Sequence, residues 1–386
     1  MSNEIKRILL ITLKDLNSGI NKYRMLDPHI KLQNLYPKDF FIEIGEDKDI
    51  LNTEKIKQFD AVFYHVAIEQ AEQFSTQTQF LQDQKIVKLI MDVDDWWEYH
   101  PSHPYYKMSK KINLKEKTIK ALRKADYITT TTEHFAKKIK SYNKNVIVIP
   151  NAVNFKEKQF QIVNKEPSEL LKIGYVAGVS HFEDIKLLRG VLSSLTKKQI
   201  QMQLCGFNVQ KDKELNSTWH KMEVEFTDNY NLKDKLYIDY LLEFKHEEFA
   251  REEYMEYKRV WTKPINTYMT LYDDLDLCLA PLKDYEFNSY KSNLKLLEAG
   301  AKKKPIIVSG VTPYLDGEHL KNCLIVDAKK EHKLWIKYVN QMVDDPQMRL
   351  DFGEKLYEYV LNNFDLEKVT EKRAEFYNKF FEKSEF

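Results

Sequence analysis

The chain lacks paired cysteines, long apolar runs and an excess of charge of one sign. Its three cysteines, Cys205, Cys278 and Cys323, have no CxxC or Cys/His spacing, and each lies in or beside an apolar run. We therefore expect buried thiols in a reducing compartment, and neither a disulfide framework nor a zinc site. No apolar stretch approaches a membrane span, and the N-terminal MSNEIKRILLITLKD is too weakly apolar for a signal peptide.

The charge is nearly balanced, with 60 Lys and Arg against 59 Asp and Glu and a formal net charge of +1. No global field therefore draws the protein to nucleic acid or membrane, and any such attraction must come from a local patch. At 386 residues, 43% hydrophobic and 31% charged, the chain fits a folded protein of two domains. We expect a cytoplasmic protein, with peripheral contact at the inner face of the membrane as an open alternative.

Short apolar runs alternate with longer amphipathic stretches, in two series separated by a polar, turn-rich stretch. The predicted strands are 7–12, 60–66, 85–93, 126–132 and 145–150, then 171–178, 200–207, 275–282, 305–311 and 322–328. This alternation predicts an α/β protein with two doubly wound, Rossmann-like domains facing a crevice. The predicted divisions are a first domain at 1–155, a linker at 156–170, a second domain at 171–365 with an insertion or long helical connection at 208–260, and a last helix at 366–386.

One segment, NSYKSNLKLLEAGAKKKPIIVSGVTPY (288–314), carries charged residues at helical spacing. A helix starting near Ser289 would place Lys291 and Lys295 one turn apart and Glu298 on the same face. Its free N–H groups and dipole suit a diphosphate, and its lysines could neutralise one. The alternative is a solvated face that binds nothing.

Four segments in their order along the chain resemble retaining GT-B glycosyltransferases of the family-4-like group. They are ITLKDLNSGINKYRMLDPHIKLQNL, ADYITTTTEHFAKKIKSYNKNVIVIPNAV, KIGYVAGVSHFEDIKLL and LDLCLAPLKDYEFNSYKSNLKLLEAGAKKKPIIVSGVTPY. The resemblance implies a GT-B fold with the C-terminal helix crossing back to the first domain. It also implies transfer of a sugar from a nucleotide diphosphate sugar to a hydroxyl, with retention.

The resemblance also assigns roles to individual residues. It implies donor binding by Gly174, Gly178, His181, Asn288, Tyr290, Lys291, Ser292, Lys295 and Glu298, with a first-domain loop of Gly19, Tyr23 and Arg24. Two departures stand out. Tyr290 occupies the position of the family's first glutamate, for which Glu286 is a candidate substitute, and His181 stands where the family often has an Arg-Lys pair.

A second unusual segment, MDVDDWWEYHPSHPYY (91–106), follows an apolar strand. We predict that it recognises the acceptor or sugar, with Asp92, Asp94, Asp95, Trp96, Trp97, His100 and His103 as candidates. In this interpretation carboxylates hold hydroxyls and the tryptophans stack on a sugar ring. Two alternatives remain open: a metal bound by Asp92, Asp94, His100 and His103, or a structural role in which Asp95 caps a helix and the tryptophans fill the domain face.

The next stretch, KMSKKINLKEKTIKALRK (107–124), has eight basic residues and one acid. We predict one helix with Met108, Ile112, Ile119 and Leu122 turned inward, and with Lys110, Lys117 and Lys124 sharing an outer face. A solvated face is one interpretation, and a patch for an anionic acceptor, membrane or nucleic acid is the other.

We therefore predict a glycosyltransferase with Lys291, Glu298 and Asp95 as catalytic residues, no cofactor and no metal. Catalysis would rest on electrostatic stabilisation of the departing diphosphate. The alternatives are a glycosyltransferase that modifies DNA or another polyanion, an epimerase or hydrolase acting on the nucleotide sugar, and a non-catalytic sugar-binding module.

Overall fold

Two parallel β-sheets form the framework of the computed structural model, which describes residues 4–164, 168–195, 199–208, 213–228 and 257–382. The strands of the first are β1 (Lys6–Ile11), β2 (Phe40–Gly45), β3 (Ala61–His65), β4 (Lys88–Val93), β5 (Tyr127–Thr130) and β6 (Val146–Val148). Those of the second are β7 (Leu171–Val176), β8 (Ile200–Phe207), β9 (Tyr257–Trp261), β10 (Leu277–Ala280), β11 (Ile306–Ser309) and β12 (Leu324–Val326). The strand orders are β2-β1-β3-β4-β5-β6 and β12-β11-β10-β7-β8-β9.

Helices cover the sheets. A π-helix (Asn21–Leu26) precedes α1 (Asp27–Leu35), and the helices α2 (Thr53–Ile56), α3 (Glu72–Asp83), α4 (Tyr106–Lys111), α5 (Leu114–Lys124) and α6 (Glu133–Ile139) complete the first half. The second half has α7 (Phe182–Ile185), α8 (Val191–Ser194), α9 (Lys213–Phe226), α10 (Glu286–Ser289), α11 (Leu294–Ala301), α12 (Glu331–Asp344), α13 (Pro346–Phe364) and α14 (Leu366–Glu382).

The strand orders locate the functional edge of each sheet. In the first sheet β1 lies between β2 and β3, so the strand order reverses its direction at β1. In the second sheet β7 lies between β8 and β10, and the order reverses there in the same way. Ligands of doubly wound sheets bind outside the carboxyl ends of the strands at such switch points. A ligand is therefore expected beside the loops after β1, β3 and β4 of the first sheet and those after β7 and β10 of the second.

The last helix packs on the first half, as the resemblance implied. Buried residues of α14, among them Phe376, Tyr377 and Phe380, share a core with Ile8 and Phe63 of the first sheet. Each large apolar side chain removed from water in this way contributes about 1.5–3 kcal/mol, so α14 ties the end of the chain firmly to its beginning. The α/β architecture with two doubly wound sheets is confirmed.

Several local predictions need correction. The predicted basic helix is two helices, α4 and α5, because Asn113 between them adopts the left-handed conformation with φ of 51°. The strands β2 and β9 were not predicted. In the predicted insertion at 208–260, residues 209–212 and 229–256 lie outside the described residues, and the described part contains α9 and β9. No helix in the described ranges is long and apolar enough to cross a membrane.

Candidate active site

An acid, a lysine and two tyrosines form a hydrogen-bonded cluster at α11, here called the Glu298 cluster (Tyr268, Tyr272, Lys295 and Glu298). Glu298 is only 2% exposed, and its Oε2 accepts hydrogen bonds from the Tyr272 hydroxyl at 2.7 Å and Lys295 Nζ at 2.9 Å. Lys295 Nζ also donates to the Tyr268 hydroxyl at 2.8 Å. Burial lowers the pKa of Lys295, but Glu298 and Tyr268 more than offset this, so the pKa is raised and the ammonium is firmly charged.

The first half contributes a tyrosine to this cluster. Tyr23, on the π-helix after β1, packs into the core around β10 and α11, although it belongs to the first sheet's side of the chain. Its pKa is raised well above the ordinary value by burial and by the nearby charge of Glu298. The buried Tyr23 hydroxyl has no hydrogen-bond partner among the described residues. Gly19, one turn earlier, is exposed, and a Cβ added there would lie 4.0 Å from Tyr23 Cδ2, an ordinary van der Waals contact.

The predicted helix from Ser289 is wrong: α10 ends at Ser289 and α11 begins at Leu294. Lys291 and Ser292 therefore lie in a break between two helices, where Ser292 Oγ accepts a hydrogen bond from Asn151 Nδ2 at 2.9 Å. Lys291 and Lys295 do not share a helical face. The break turns Lys291 across the crevice, with Nζ 3.7 Å from Asp95 Oδ1 of the first half.

The loop after β7 contains a histidine oriented by a carboxylate. His181 Nδ1 is 2.7 Å from Asp184 Oδ2, while Asp184 Oδ1 accepts from the Lys283 amide at 2.8 Å and from Asn288 Nδ2 at 3.1 Å. Asp184 thereby joins the loops after β7 and β10. Of the predicted donor-binding residues, Asn288 is thus a buried link that holds His181 indirectly.

The two predicted loop glycines differ. A side chain at Gly178 would make only an ordinary van der Waals contact, with Ser180 Oγ 3.9 Å from the added Cβ, whereas one at Gly174 would collide with Leu275 at 2.4 Å. The prediction that Gly174 admits a ligand is therefore wrong, because this glycine lies within β7 and makes room for a core side chain. Gly178 belongs to the wall of a cavity of about 250 Å³ between the halves, lined by Tyr105, Ala177, Gly178, Val179, Ser180, Gly206, Asn208, Trp219, Thr262 and Tyr268.

Aromatic side chains join the two halves beside this crevice. We call this contact the aromatic interface and define it as Trp96, Tyr99, His100, His103, His134 and Phe135 against Tyr285, Phe287 and Tyr290. Tyr290 lies 4.5 Å from Trp96, 4.9 Å from His134 and 5.4 Å from Phe135, measured between ring centroids. His100 stacks on Tyr285 at 4.0 Å, and Phe287 contacts Tyr99 and His103. Tyr290 therefore serves to hold the halves together, and its predicted position among donor-binding residues is corrected.

The tryptophans do not offer a sugar platform. Trp96 and Trp97 are 2% and 4% exposed, and their rings stack on each other at 4.1 Å. Because the rings are covered, the prediction that they stack on a sugar is wrong and the structural alternative holds for both.

The three aspartates after β4 have different environments. Asp92 is 0% exposed and accepts two hydrogen bonds from Arg24, at 2.7 and 3.0 Å, and one from Thr129. Asp92 therefore cannot touch an acceptor, contrary to the prediction. Arg24, which the resemblance assigned to a first-domain loop, is 1% exposed and is the buried partner of Asp92. Asp94 is partly exposed and bonded to His65 at 2.8 Å, and Asp95 is the most exposed of the three, with 53% of its side chain accessible.

The four candidate metal ligands do not converge. Asp92 is saturated by Arg24, Asp94 faces His65, and His100 and His103 pack against Tyr285 and Phe287. Within the described ranges, no three His, Cys, Asp or Glu side chains are grouped so as to hold a metal ion. The alternative that this segment forms a metal site is not supported by the arrangement.

The basic helices also differ from prediction. Lys124 is buried, and its Nζ lies 2.6 Å from both Glu69 Oε2 and Thr78 Oγ1, so it does not share an outer face with Lys110 and Lys117. Met108 was predicted to turn inward and is 50% exposed. The exposed basic surface therefore excludes Lys124 and is formed by Lys107, Lys110 and Lys111 of α4 together with Lys115, Lys120 and Arg123 of α5.

Comparisons with solved structures identify the fold. The Anabaena protein HepE in complex with UDP and glucose matches with a TM-score of 0.65 and 11% identity over 97% of this chain and 99% of that one. Sucrose-phosphate synthase from Thermosynechococcus elongatus matches with a TM-score of 0.66 and 12% identity over 98% and 100%. A glycosyltransferase from Rickettsia africae matches with a TM-score of 0.62 and 14% identity over 98% and 100%. No family model and no curated sequence matches the chain. At these identities the likeness shows the fold, which is GT-B.

Sequence reasoning missed His65, Asp184, Tyr268 and Tyr272. Asp184 carries a usable signal, since it follows His181 at i+3 on a short helix. His65 ends a predicted strand, which places it at the functional edge of the sheet. The two tyrosines lie in a segment without periodic pattern and become significant only through their contact with α11.

Proposed function

We propose that the protein is a glycosyltransferase that moves a sugar from a nucleotide diphosphate sugar to a hydroxyl acceptor, with retention of configuration. The observation that carries the proposal is the Glu298 cluster, in which a buried acid and a charged lysine lie beside the unpartnered hydroxyl of Tyr23. The fold supports it, and one structural neighbour is described as binding UDP-glucose. In this proposal Glu298 and Tyr23 bind hydroxyls of the donor's ribose.

The donor's diphosphate would meet three cationic or hydrogen-bonding groups from two loops. Lys295 uses two of its ammonium donors within the Glu298 cluster and retains a third for a phosphate oxygen. His181 uses Nδ1 on Asp184 and presents Nε2, while Lys291 reaches the crevice from the break after α10. The cavity beside Gly178 has room for the nucleoside.

Electrostatics would carry the reaction. Charge develops on the diphosphate as the bond to the sugar breaks, and fixed cations in a partly buried crevice stabilise that charge without a metal ion. Asp95 faces Lys291 across the crevice, and in this proposal Asp95 contacts the sugar. This would compensate for the carboxylate that the family's first glutamate supplies, since Tyr290 is committed to the aromatic interface.

An anionic acceptor is the second proposal, and it rests on the surface of α4. Lys107, Lys110 and Lys111 are exposed there beside the half-exposed Met108. Cations flanking an apolar side chain suit an anionic lipid surface better than duplex DNA, because the apolar group gains from insertion among acyl chains. A lipid-linked sugar acceptor would follow from this.

The test is calorimetric binding of nucleotides followed by detection of released nucleotide with a panel of donors and acceptors. Lys291→Ala should weaken binding of the nucleoside diphosphate by about 1.5–3 kcal/mol, or roughly ten- to a hundredfold in Kd. Glu298→Gln keeps the shape of the side chain and should weaken binding of the nucleoside portion as well.

The matched control is Lys303→Ala, which removes a partly exposed lysine paired with Glu354 in the same half. It should leave nucleotide affinity unchanged. Equal nucleotide affinity of the wild type, Lys291→Ala and Glu298→Gln would show that neither Lys291 nor Glu298 binds the nucleotide. Nucleotide binding without release by any donor and acceptor pair would favour the non-catalytic module, and release that needs no acceptor would favour a hydrolase.

A further inference from the structure

A buried histidine lies directly behind the acceptor-side carboxylate. His65 ends β3 and is 4% exposed, and Asp94 follows the adjacent strand β4. The two strands are paired in parallel, with His65 opposite Asp92 in the register. Two residues beyond that partner, Asp94 Oδ1 lies 2.8 Å from His65 Nε2. The contact is therefore built from the sheet itself and not from a loose loop.

The hydrogen bonds of His65 determine its tautomer. Nδ1 accepts the backbone N–H of Ala67 at 3.2 Å, so in the neutral ring the proton lies on Nε2. Nε2–H then donates to Asp94. Both ring nitrogens are used, which leaves His65 no atom for a substrate. Its effect on chemistry must pass through Asp94.

The charges around the pair keep Asp94 ionised. Burial raises the pKa of Asp94, but His65 and Arg24 more than offset this, and the pKa is lowered below its ordinary value. Burial lowers the pKa of His65, and Asp94 and Asp92 reverse the shift, so that this pKa is raised. Asp95, on the same segment, is the further charged group that faces the pair, and Asp95 itself faces Lys291 and His181 across the crevice.

Asp94 differs from its neighbour Asp92 in having capacity to spare. Asp92 is fully buried and holds three protein hydrogen bonds. Asp94 has one side-chain partner, and 21% of its side chain is accessible at the edge where β3 and β4 end. A carboxylate has about four acceptor positions, so the accessible part of Asp94 can accept a hydroxyl proton in a hydrogen bond.

We propose that Asp94 orients the attacking hydroxyl of the acceptor and that His65 is a positioning residue which fixes the Asp94 carboxylate for this task. The inference rests on the proposed glycosyl transfer and adds a residue to it. The acceptor oxygen bonds to the anomeric carbon as the bond from that carbon to the diphosphate oxygen breaks. The hydroxyl proton leaves with the nucleoside diphosphate, so Asp94 accepts a hydrogen bond and takes no proton in the net reaction. The acceptor must therefore present a free hydroxyl at the carboxyl ends of β3 and β4, which is the side of the crevice opposite the Glu298 cluster.

The test compares transfer to an acceptor with hydrolysis of the same donor, because water does not depend on an oriented acceptor hydroxyl. His65→Leu removes the hydrogen bond to Asp94, and we expect transfer to fall at least tenfold relative to hydrolysis, with donor affinity unchanged. His65→Gln places an amide N–H near the position of Nε2–H and should restore most of the ratio. The double variant His65→Leu/Asp94→Asn should lower the ratio of transfer to hydrolysis no further than the more damaging of the two single changes, because the residues act as a unit.

The matched control is His29→Gln in the same half. His29 is also a buried histidine with both nitrogens bonded, to Met25 O and the Tyr377 hydroxyl, and it lies away from the crevice. It should lose stability while keeping the ratio of transfer to hydrolysis. A purely structural role for His65 would make His65→Leu resemble this control, and that result would overturn the inference.

The state of His65 can also be measured without an activity assay, so a variant that fails to fold does not decide the outcome. Nitrogen chemical shifts of His65 in the wild type should show the Nε2–H tautomer, and Asp94→Asn should lower its pKa. An Nδ1–H tautomer, or a pKa that Asp94→Asn leaves unchanged, would contradict the assigned roles. Absence of both transfer and hydrolysis in the wild type with every donor would instead count against the proposed function itself.

Discussion

Tyr290→Ala should loosen the two halves of the molecule without unfolding either of them. The ring of Tyr290 is 7% exposed and contacts Trp96, His134 and Phe135, although its own backbone lies between β10 and β11 of the other sheet. Truncating a buried aromatic ring to alanine costs about 3–5 kcal/mol in a domain core. Here the lost contacts lie between the halves, so the cost falls on their closure.

The lower figure of about 3 kcal/mol corresponds to roughly a hundredfold change in the equilibrium between closed and open forms. Small-angle scattering should show an increased radius of gyration, and the affinity for a nucleoside diphosphate should fall because Tyr23 and Lys291 no longer meet the ligand together. Tyr290→Phe retains the three ring contacts and should behave as wild type.

The matched control for this experiment is Phe352→Ala. Phe352 is 5% exposed and lies in the core of the second half alone. Its truncation should lower the melting temperature and leave the radius of gyration unchanged. If Tyr290→Ala shows the scattering curve and nucleotide affinity of the wild type, the aromatic interface does not govern closure.

Three further predictions follow from charge and titration. Acidification should weaken the aromatic interface, because burial, then Lys291 and His181, lowers the pKa of His103 to about 4. A lowered folded pKa means that the unfolded chain binds the proton first, so stability falls as pH drops from about 6.5 to 4; thermal melts should show this slope, and His103→Gln should reduce it. Turnover should survive EDTA, and reversible loss of activity would restore the metal interpretation of 91–106. Replacing Lys107, Lys110 and Lys111 by Glu should weaken salt-sensitive binding to anionic vesicles. The same change at the exposed Lys137, Lys140 and Lys144 should leave that binding unchanged. Equal binding by the wild type and both variants would contradict the proposal of an anionic acceptor.

Local pattern was enough to predict all of the described strands except β2 and β9. Continuous apolar runs indicate strands buried on both faces, and their alternation with helical patterns predicts parallel sheets. The same holds for Lys295 and Glu298, because an i,i+3 contact on a helix depends only on nearby residues. The three buried thiols were also predicted correctly from the apolar runs around them.

The strand β9 shows where local pattern is insufficient. Its sequence YKRVW contains two cations and resembles an exposed segment. Arg259 becomes acceptable in a strand because Glu223 of α9 binds its guanidinium, with Nε to Oε1 at 2.6 Å. Glu223, the partner that neutralises Arg259, lies 36 residues earlier in the chain, so the strand could not be recognised from its own residues.

The interdomain contacts were decided by tertiary structure alone. Tyr290 was assigned to the donor by its spacing from Glu298, and Trp96 to a sugar by its type, yet each is the other's partner across 194 residues of chain. Likewise Lys124 was placed on an outer face until Glu69 supplied a buried countercharge. Sequence spacing determines which side chains share a helix or a strand. The packing of the folded chain decides which distant side chain covers a given ring or neutralises a given charge. These groups come into contact only in the tertiary structure, so their sequence spacing does not reveal the pairing.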